Sequence, residues 1–149
     1  MKKVLSAIMA LCMILSICSF SVSAAPAGTA ITSEADFLAM KEDGAYYLAN
    51  DITVTKSYDK LFTGVFDGNG KTVTISAPMF AEFNGTAKNL TINGAITSDG
   101  DAGALAVTST AGMIVSDVTN NVSITVTGEG KHASGIFATN YGVDIISEY

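Results

Sequence analysis

From Tyr46 onward, short apolar runs alternate with polar and turn residues. Tyr46-Tyr47-Leu48, Ile52-Thr53-Val54, Leu61-Phe62 and Val65-Phe66 are divided by Asn50-Asp51, Ser57-Tyr58-Asp59-Lys60 and Asp67-Gly68-Asn69-Gly70. The pattern continues through Thr72–Ile75, Leu90–Ile92, Leu105–Val107, Val118, Val122–Val126 and Ile136-Phe137. In Val122-Ser123-Ile124-Thr125-Val126-Thr127 the period of two sends the aliphatic residues to one face and Ser and Thr to the other. No apolar period of 3.6 residues is sustained after Gly44. Glycine-punctuated runs of this kind predict an all-β protein with strands of about four to six residues.

The stretch before Tyr46 reads differently. Ser33-Glu34-Ala35-Asp36 has the form of a capping box with Asp in place of Glu. Phe37, Leu38 and Met40 add apolar bulk, and Gly44 offers a stop. A short helix is therefore predicted from Ser33. Ala25–Ile31 reads as a flexible lead-in. At the start, Lys2 and Lys3 precede the apolar run Val4–Phe20, and Val22-Ser23-Ala24 follows. That order predicts a signal peptide over residues 1–24, cut before Ala25. The run is short for a bilayer span, and no basic stop follows it.

A repeat chooses among all-β architectures. Pro78-Met79-Phe80-Ala81-Glu82-Phe83-Asn84-Gly85 aligns with Gly135-Ile136-Phe137-Ala138-Thr139-Asn140-Tyr141-Gly142 at Phe, Ala and the final Gly. A looser copy runs from Leu105-Ala106-Val107 to Gly112. After these glycines the chain re-enters a strand, through Lys88-Asn89-Leu90-Thr91-Ile92 and Ser116-Asp117-Val118-Thr119, with Val143–Ser147 as a further start. A spacing near 30 predicts the layers of a parallel β-solenoid, with Val, Ile, Leu and Phe inward and Thr, Ser and Asn outward. Gly68-Asn69-Gly70 is then a corner, because Gly and Asn tolerate positive φ. Thr72-Val73-Thr74-Ile75 enters the stack with Val73 and Ile75 inward.

These residues carry a resemblance. TGVFDGNGKTVTI and MFAEFNGTAKNLTING resemble the N-terminal coils of bacterial surface proteins with a pectin-lyase-like right-handed β-helix. Many such proteins carry GLUG repeats, of the form G-G-L-V-G-x-N-x-G. Gly135–Gly142 is similar to that pattern, with Ala138 replacing a glycine. ITSEADFLAMKEDGAYYLANDITV resembles the usual entry, a short helix and strand that cap the first coil. The resemblance implies a short right-handed parallel β-helix over residues 46–149, behind a lead-in and capping helix at 25–45. It implies an exported, non-enzymatic surface or adhesion module whose partner is a polysaccharide or cell-surface polymer. The alternative it implies is a fragment of a polysaccharide lyase or glycoside hydrolase. Ser147-Glu148-Tyr149 falls where a further strand is due, so the β-helix is expected to be incomplete there, with an edge open to pairing.

Composition narrows the partners. Both cysteines, Cys12 and Cys18, lie in the expected signal, so the mature chain is expected to hold no disulfide. Its six remaining lysines face 14 acidic residues, a net charge of −8, and the chain has no arginine. That balance disfavours nucleic acid, which is held by basic side chains. It suits a soluble extracellular chain with no membrane span after cleavage.

Candidate chemistry is sparse. His132 is a general base by type, but it follows the glycine-rich Gly128-Glu129-Gly130-Lys131 and is expected in solvent. Asp99-Gly100-Asp101, and Asp67 with Asn69, offer oxygen ligands for calcium, yet two carboxylates fall short of a shell of about six to eight. Lys71, Lys88 and Lys131 are the candidate bases for a lyase, with no carboxylate cluster visible beside any of them. Tyr46, Tyr47, Tyr58 and Tyr141 offer faces for stacking on sugars, and Tyr46 and Tyr47 are expected beneath the capping helix instead. Asn84, Asn89 and Asn121 stand in glycosylation triplets, and Asn120-Asn121 is read as an amide stack at a corner. No catalytic, cofactor-binding or metal-binding residue is assigned.

Overall fold

The computed structural model describes residues 26–110 and 112–141. The expected signal peptide, Gly142 and the strand start at Val143–Ser147 lie outside these residues. Within them the protein is mostly β-strand with one short helix. In chain order come β1 (Thr29–Ile31), α1 (Glu34–Leu38), β2 (Ala45–Leu48), β3 (Ile52–Val54), β4 (Tyr58–Phe62) and β5 (Val65–Ile75). Then follow β6 (Phe80–Phe83), β7 (Thr86–Ser98), β8 (Ala102–Gly103), β9 (Ala106–Thr110), β10 (Ile114–Val126), β11 (Ala133–Ser134) and β12 (Phe137–Tyr141).

All strand pairs among the described residues are parallel. The largest sheet has the order β1-β2-β5-β7-β10, with β3 also on β5. A second sheet runs β12-β9-β6-β4, and β11 pairs with β8. From β4 onward the chain visits these sheets in turn, and each visit lays a strand on the one before. The offset is 21 residues from Val65 to Thr86, 28 from Thr86 to Ile114, and 31 from Ala106 to Phe137. The period near 30 thus holds only for the later layers.

Burial follows the period of two. Phe66, Val73 and Ile75 of β5, and Ala87, Leu90, Ile92 and Ile96 of β7, face one core. The inward placement of Val73 and Ile75 is as the sequence predicts. Aromatic rings fill the core near α1. Phe37 sits in van der Waals range of Phe66 and Phe80, with centroids 5.8 and 5.3 Å away, and Tyr58 stands at 6.3 Å. Phe37 is the buried residue of α1, so the helix acts as a holder for one ring.

The helix starts as predicted. Asp36 N–H donates to Ser33 Oγ at 3.2 Å, while the Asp36 carboxylate reaches back to Thr32 N–H and Oγ1–H at 2.9 and 2.6 Å. Glu34 Oε1 accepts from Thr55 N–H, Thr55 Oγ1–H and Lys56 N–H, which ties the helix to the chain after β3. The helix stops earlier than expected, at Leu38. Gly44 is not its cap. Instead Gly44, Gly64 and Gly85 stand over one another where the chain enters the large sheet. Val65 N–H donates to Gly44 O, Thr86 N–H to Gly64 O and Ile114 N–H to Gly85 O, each at 2.9 Å. A methyl on Gly64 or Gly85 would overlap the glycine carbonyl of the layer beneath.

Three other expectations change. The lead-in contributes β1, which pairs with β2. Strands β5, β7 and β10 are 11, 13 and 13 residues long, because β7 and β10 each bend at one residue and β5 resumes its ladder after a three-residue bulge. Gly112 is not the layer equivalent of Gly85; that position falls to Met113, since Ile114 registers with Thr86. Beyond β10 the large sheet has no further strand among the described residues. Ile114 is 57% exposed there, and Val115, Val118 and Val122 are half-buried.

Candidate functional site

The bends in the long strands build the most structured polar feature. Asn69, Asn89 and Asp117 have φ of 51°, 51° and 52°, the left-handed region that Asn and Asp enter more readily than other side chains. The ladder carries Asp67 opposite Lys88 and then Lys71 opposite Leu90, so Gly68-Asn69-Gly70 bulges out over Asn89. In the next layer Ser116 and Val118 face Lys88 and Leu90, which sets Asp117 over Asn89. The corner predicted at Gly68-Asn69-Gly70 is therefore present, and two single residues continue it.

Hydrogen bonds fix this column. Asn69 N–H donates to Asp67 Oδ1 at 2.8 Å, and Asn89 Nδ2–H donates to the same oxygen at 3.1 Å. Asn69 Nδ2–H reaches Leu48 O at 3.1 Å. Lys88 Nζ lies 3.4 Å from Asp67 Oδ2. Burial pushes the Asp67 carboxyl up, but the Asn69 N–H, the Asn89 amide and Lys88 outweigh it and hold the group below the ordinary aspartate value. Asp67 is thus a fixed carboxylate, unsuited to donating a proton at neutral pH. With Asp117, Thr91, Leu90 and Pro26, the corner lines a cleft of about 450 Å³.

Past the corner the outward positions form rows across the strands. Thr72, Thr91 and Thr119 stand in one row. Thr53, Thr74, Asn93 and Asn121 stand in the next. Asn121 Nδ2–H donates to Asn93 Oδ1 at 3.0 Å, so the amide stack is present, though in mid-strand and not at a corner. Asn120 points to the other side and donates to Gly135 O at 2.7 Å.

The remaining candidates scatter. His132 is exposed, and its backbone N–H donates to Asp101 Oδ1 at 2.8 Å. Gly100 N–H donates to Ser98 Oγ, which makes Asp99-Gly100-Asp101 a turn. Among the described residues no three His, Cys, Asp or Glu side chains converge as metal ligands. Tyr46 is buried, and its Oη accepts from Lys41 N–H at 2.7 Å. Tyr58 is also core, with Oη–H donating to Met40 O at 3.0 Å. Neither ring presents a face to a sugar. Tyr47 is half-buried, and the Tyr141 side chain lies outside the described set. Lys88 is the one candidate lysine seen beside a carboxylate, Lys131 is exposed and Lys71 is half-buried.

Asn89 and Asp117 join the site through their place in the ladder, beyond the ligand candidates singled out from the sequence. Their signal was present: Asn89-Leu90-Thr91 and Asp117-Val118-Thr119 share an Asx-apolar-Thr order at strand entry. No family model, curated protein or solved structure matches this chain. No helix among the described residues is long and apolar enough to cross a membrane.

Proposed function

We propose that the chain is part of a right-handed parallel β-solenoid that serves as an exported, non-enzymatic surface module binding a neutral polysaccharide. Support for the solenoid comes from the parallel ladders and from their burial. Parallel sheets are ordinarily covered on both faces. Here one face is buried and the other carries Thr and Asn, as expected when successive layers wrap a single core. In this reading α1 closes the first layer with Phe37, and β10 is the edge where further layers add. The resemblance to pectin-lyase-like surface proteins with GLUG repeats belongs to the same proposal.

The observation that carries the binding role is the cleft at the corner. It presents amide, hydroxyl and carboxylate groups side by side on backbone held by layer-to-layer hydrogen bonds. Such groups match sugar hydroxyls and lose little freedom on binding. Asp67 favours binding over acid catalysis, because its carboxylate is already engaged by three donors. The lyase reading rests on one contact, Lys88 beside Asp67.

The test is retention of the purified chain on a panel of neutral and acidic polysaccharides, with product analysis. Saturable binding to a neutral polymer, weakened roughly tenfold by Asp117→Ala through loss of about 1.4 kcal/mol, is expected, with chain length of the polymer unchanged. Absence of binding to every polymer refutes the module. Release of new chain ends, lost on Lys88→Met, replaces it with the enzyme.

A further inference from the structure

The rows beyond the corner differ from the cleft in one respect: they carry no charge. Thr72–Ile75, Thr91–Ser98 and Thr119–Val126 contain no Asp, Glu or Lys, in a chain of net charge −6. Of the charged residues of β5, β7 and β10, Asp67, Lys88 and Asp117 lie at or before the bend, and Lys71 follows it in register with Leu90, just ahead of the rows. Outward positions past it continue the Thr and Asn rows with Ala95 beside Ser123 and Thr97 beside Thr125. Thr74, Ser123 and Thr125 are exposed.

This arrangement is a two-dimensional array. Neighbouring strands are about 4.8 Å apart, and alternate residues along a strand are about 6.7 Å apart. Threonine is stiff at χ1, so its hydroxyl and methyl are held in place before any ligand arrives. No aromatic residue stands in the rows to stack on a sugar ring, and no cation is there to meet a phosphate or carboxylate. The surface is uncharged, and hydroxyls and amides fill its rows except at Ala95.

We infer that this face binds ice. In a tetrahedral water lattice with O···O distances of about 2.8 Å, two oxygens that share a neighbour lie about 4.6 Å apart. Successive hydroxyls in a threonine row therefore fall close to successive lattice sites across the strands. Each contact is weak, and the registered array makes them additive because one docked row places the next. Neutrality fits the ligand, since a charged side chain would hold its own hydration shell against the lattice. The inference uses the rows, which meet the cleft at Thr91, and stands whether or not the cleft binds polysaccharide.

The test is ice-crystal shaping and inhibition of ice recrystallisation by the purified full chain. Faceted crystals and inhibition are expected from the wild type. Thr74→Tyr and Ser123→Tyr each put a bulky ring among the rows at an exposed strand position where tyrosine is compatible with β structure. Both should keep the circular dichroism spectrum and lose ice activity by roughly tenfold or more, as expected when an array loses simultaneous contact. Lys60→Tyr, exposed on the other sheet, should change nothing. Spherical crystals with the wild type, or full activity in both row variants, would overturn the inference.

Discussion

Phe80 and Phe137 occupy the same column of the second sheet, each registered with Ala106 between them. Both are buried, and the Phe137 ring stacks on Phe83 at 6.3 Å and 29°. The small Ala106 separates the two large rings, so bulk alternates along this column of the core. Ala106→Phe should overpack that column and cost about 1–3 kcal/mol, read as a lower denaturant midpoint. Ala106→Gly should also destabilise, by about 0.5–1 kcal/mol, as glycine does within a strand or helix.

The ring held by α1 makes a sharper demand. Phe37 packs on three aromatic rings and is fully buried. Phe37→Ala should cost about 3–5 kcal/mol in thermal or urea unfolding, the usual range for a buried phenylalanine. Leu38→Ala, one residue on and 37% exposed, should stay within about 0.5 kcal/mol.

The stacked glycines predict a contrast that hydrophobicity does not. Gly64→Ala and Gly85→Ala add a methyl against the carbonyl of the layer below and should destabilise by at least about 1–3 kcal/mol. Gly100→Ala meets only the Ser98 hydroxyl, at an ordinary 3.7 Å, and should be within about 0.5 kcal/mol of wild type. Equal effects at all three positions would refute the close layer contact.

These cases show what the sequence makes legible. The helix cap, the Gly68-Asn69-Gly70 corner and the Phe80–Phe137 equivalence each depend on side-chain chemistry that local sequence displays. The spacing of Gly44, Gly64 and Gly85 reflects backbone against backbone, which no side-chain pattern announces. The long strands read as short ones because Asn69, Asn89 and Asp117 resemble turn residues, yet the strand resumes its pairing past each of them. Tyr58 stands in a polar run that leaves its placement open, and a long-range bond to Met40 O satisfies its hydroxyl in the core. The cleft was hidden for the same reason: its residues come from three layers.

Acid should loosen the entry and the corner together. The Thr55 N–H and hydroxyl lower the pKa of Glu34, the Thr32 hydroxyl and N–H lower that of Asp36, and at Asp67 the bound donors outweigh burial. Each folded pKa lies below its unfolded value. Such groups stabilise fully above the unfolded pKa of about 4, and that contribution is lost as pH falls through the folded pKa. The melting temperature should therefore be level near neutrality and drop below about pH 4. Asp67→Asn should reduce the steepness of that drop, and an unchanged profile would show that Asp67 is not held as described.

The layer register is tested most directly by paired cysteines in a chain whose Cys12 and Cys18 are replaced by serine. Thr97 and Thr125 are registered across β7 and β10, 28 residues apart in sequence. Neighbouring parallel strands place such pairs about 4.8 Å apart, within the usual disulfide range of Cα separations. Thr97→Cys with Thr125→Cys should oxidise readily to an intramolecular disulfide, while Thr97→Cys with Asn121→Cys, four residues out of register, should not. Cross-linking of the second pair in preference to the first would contradict the parallel stack.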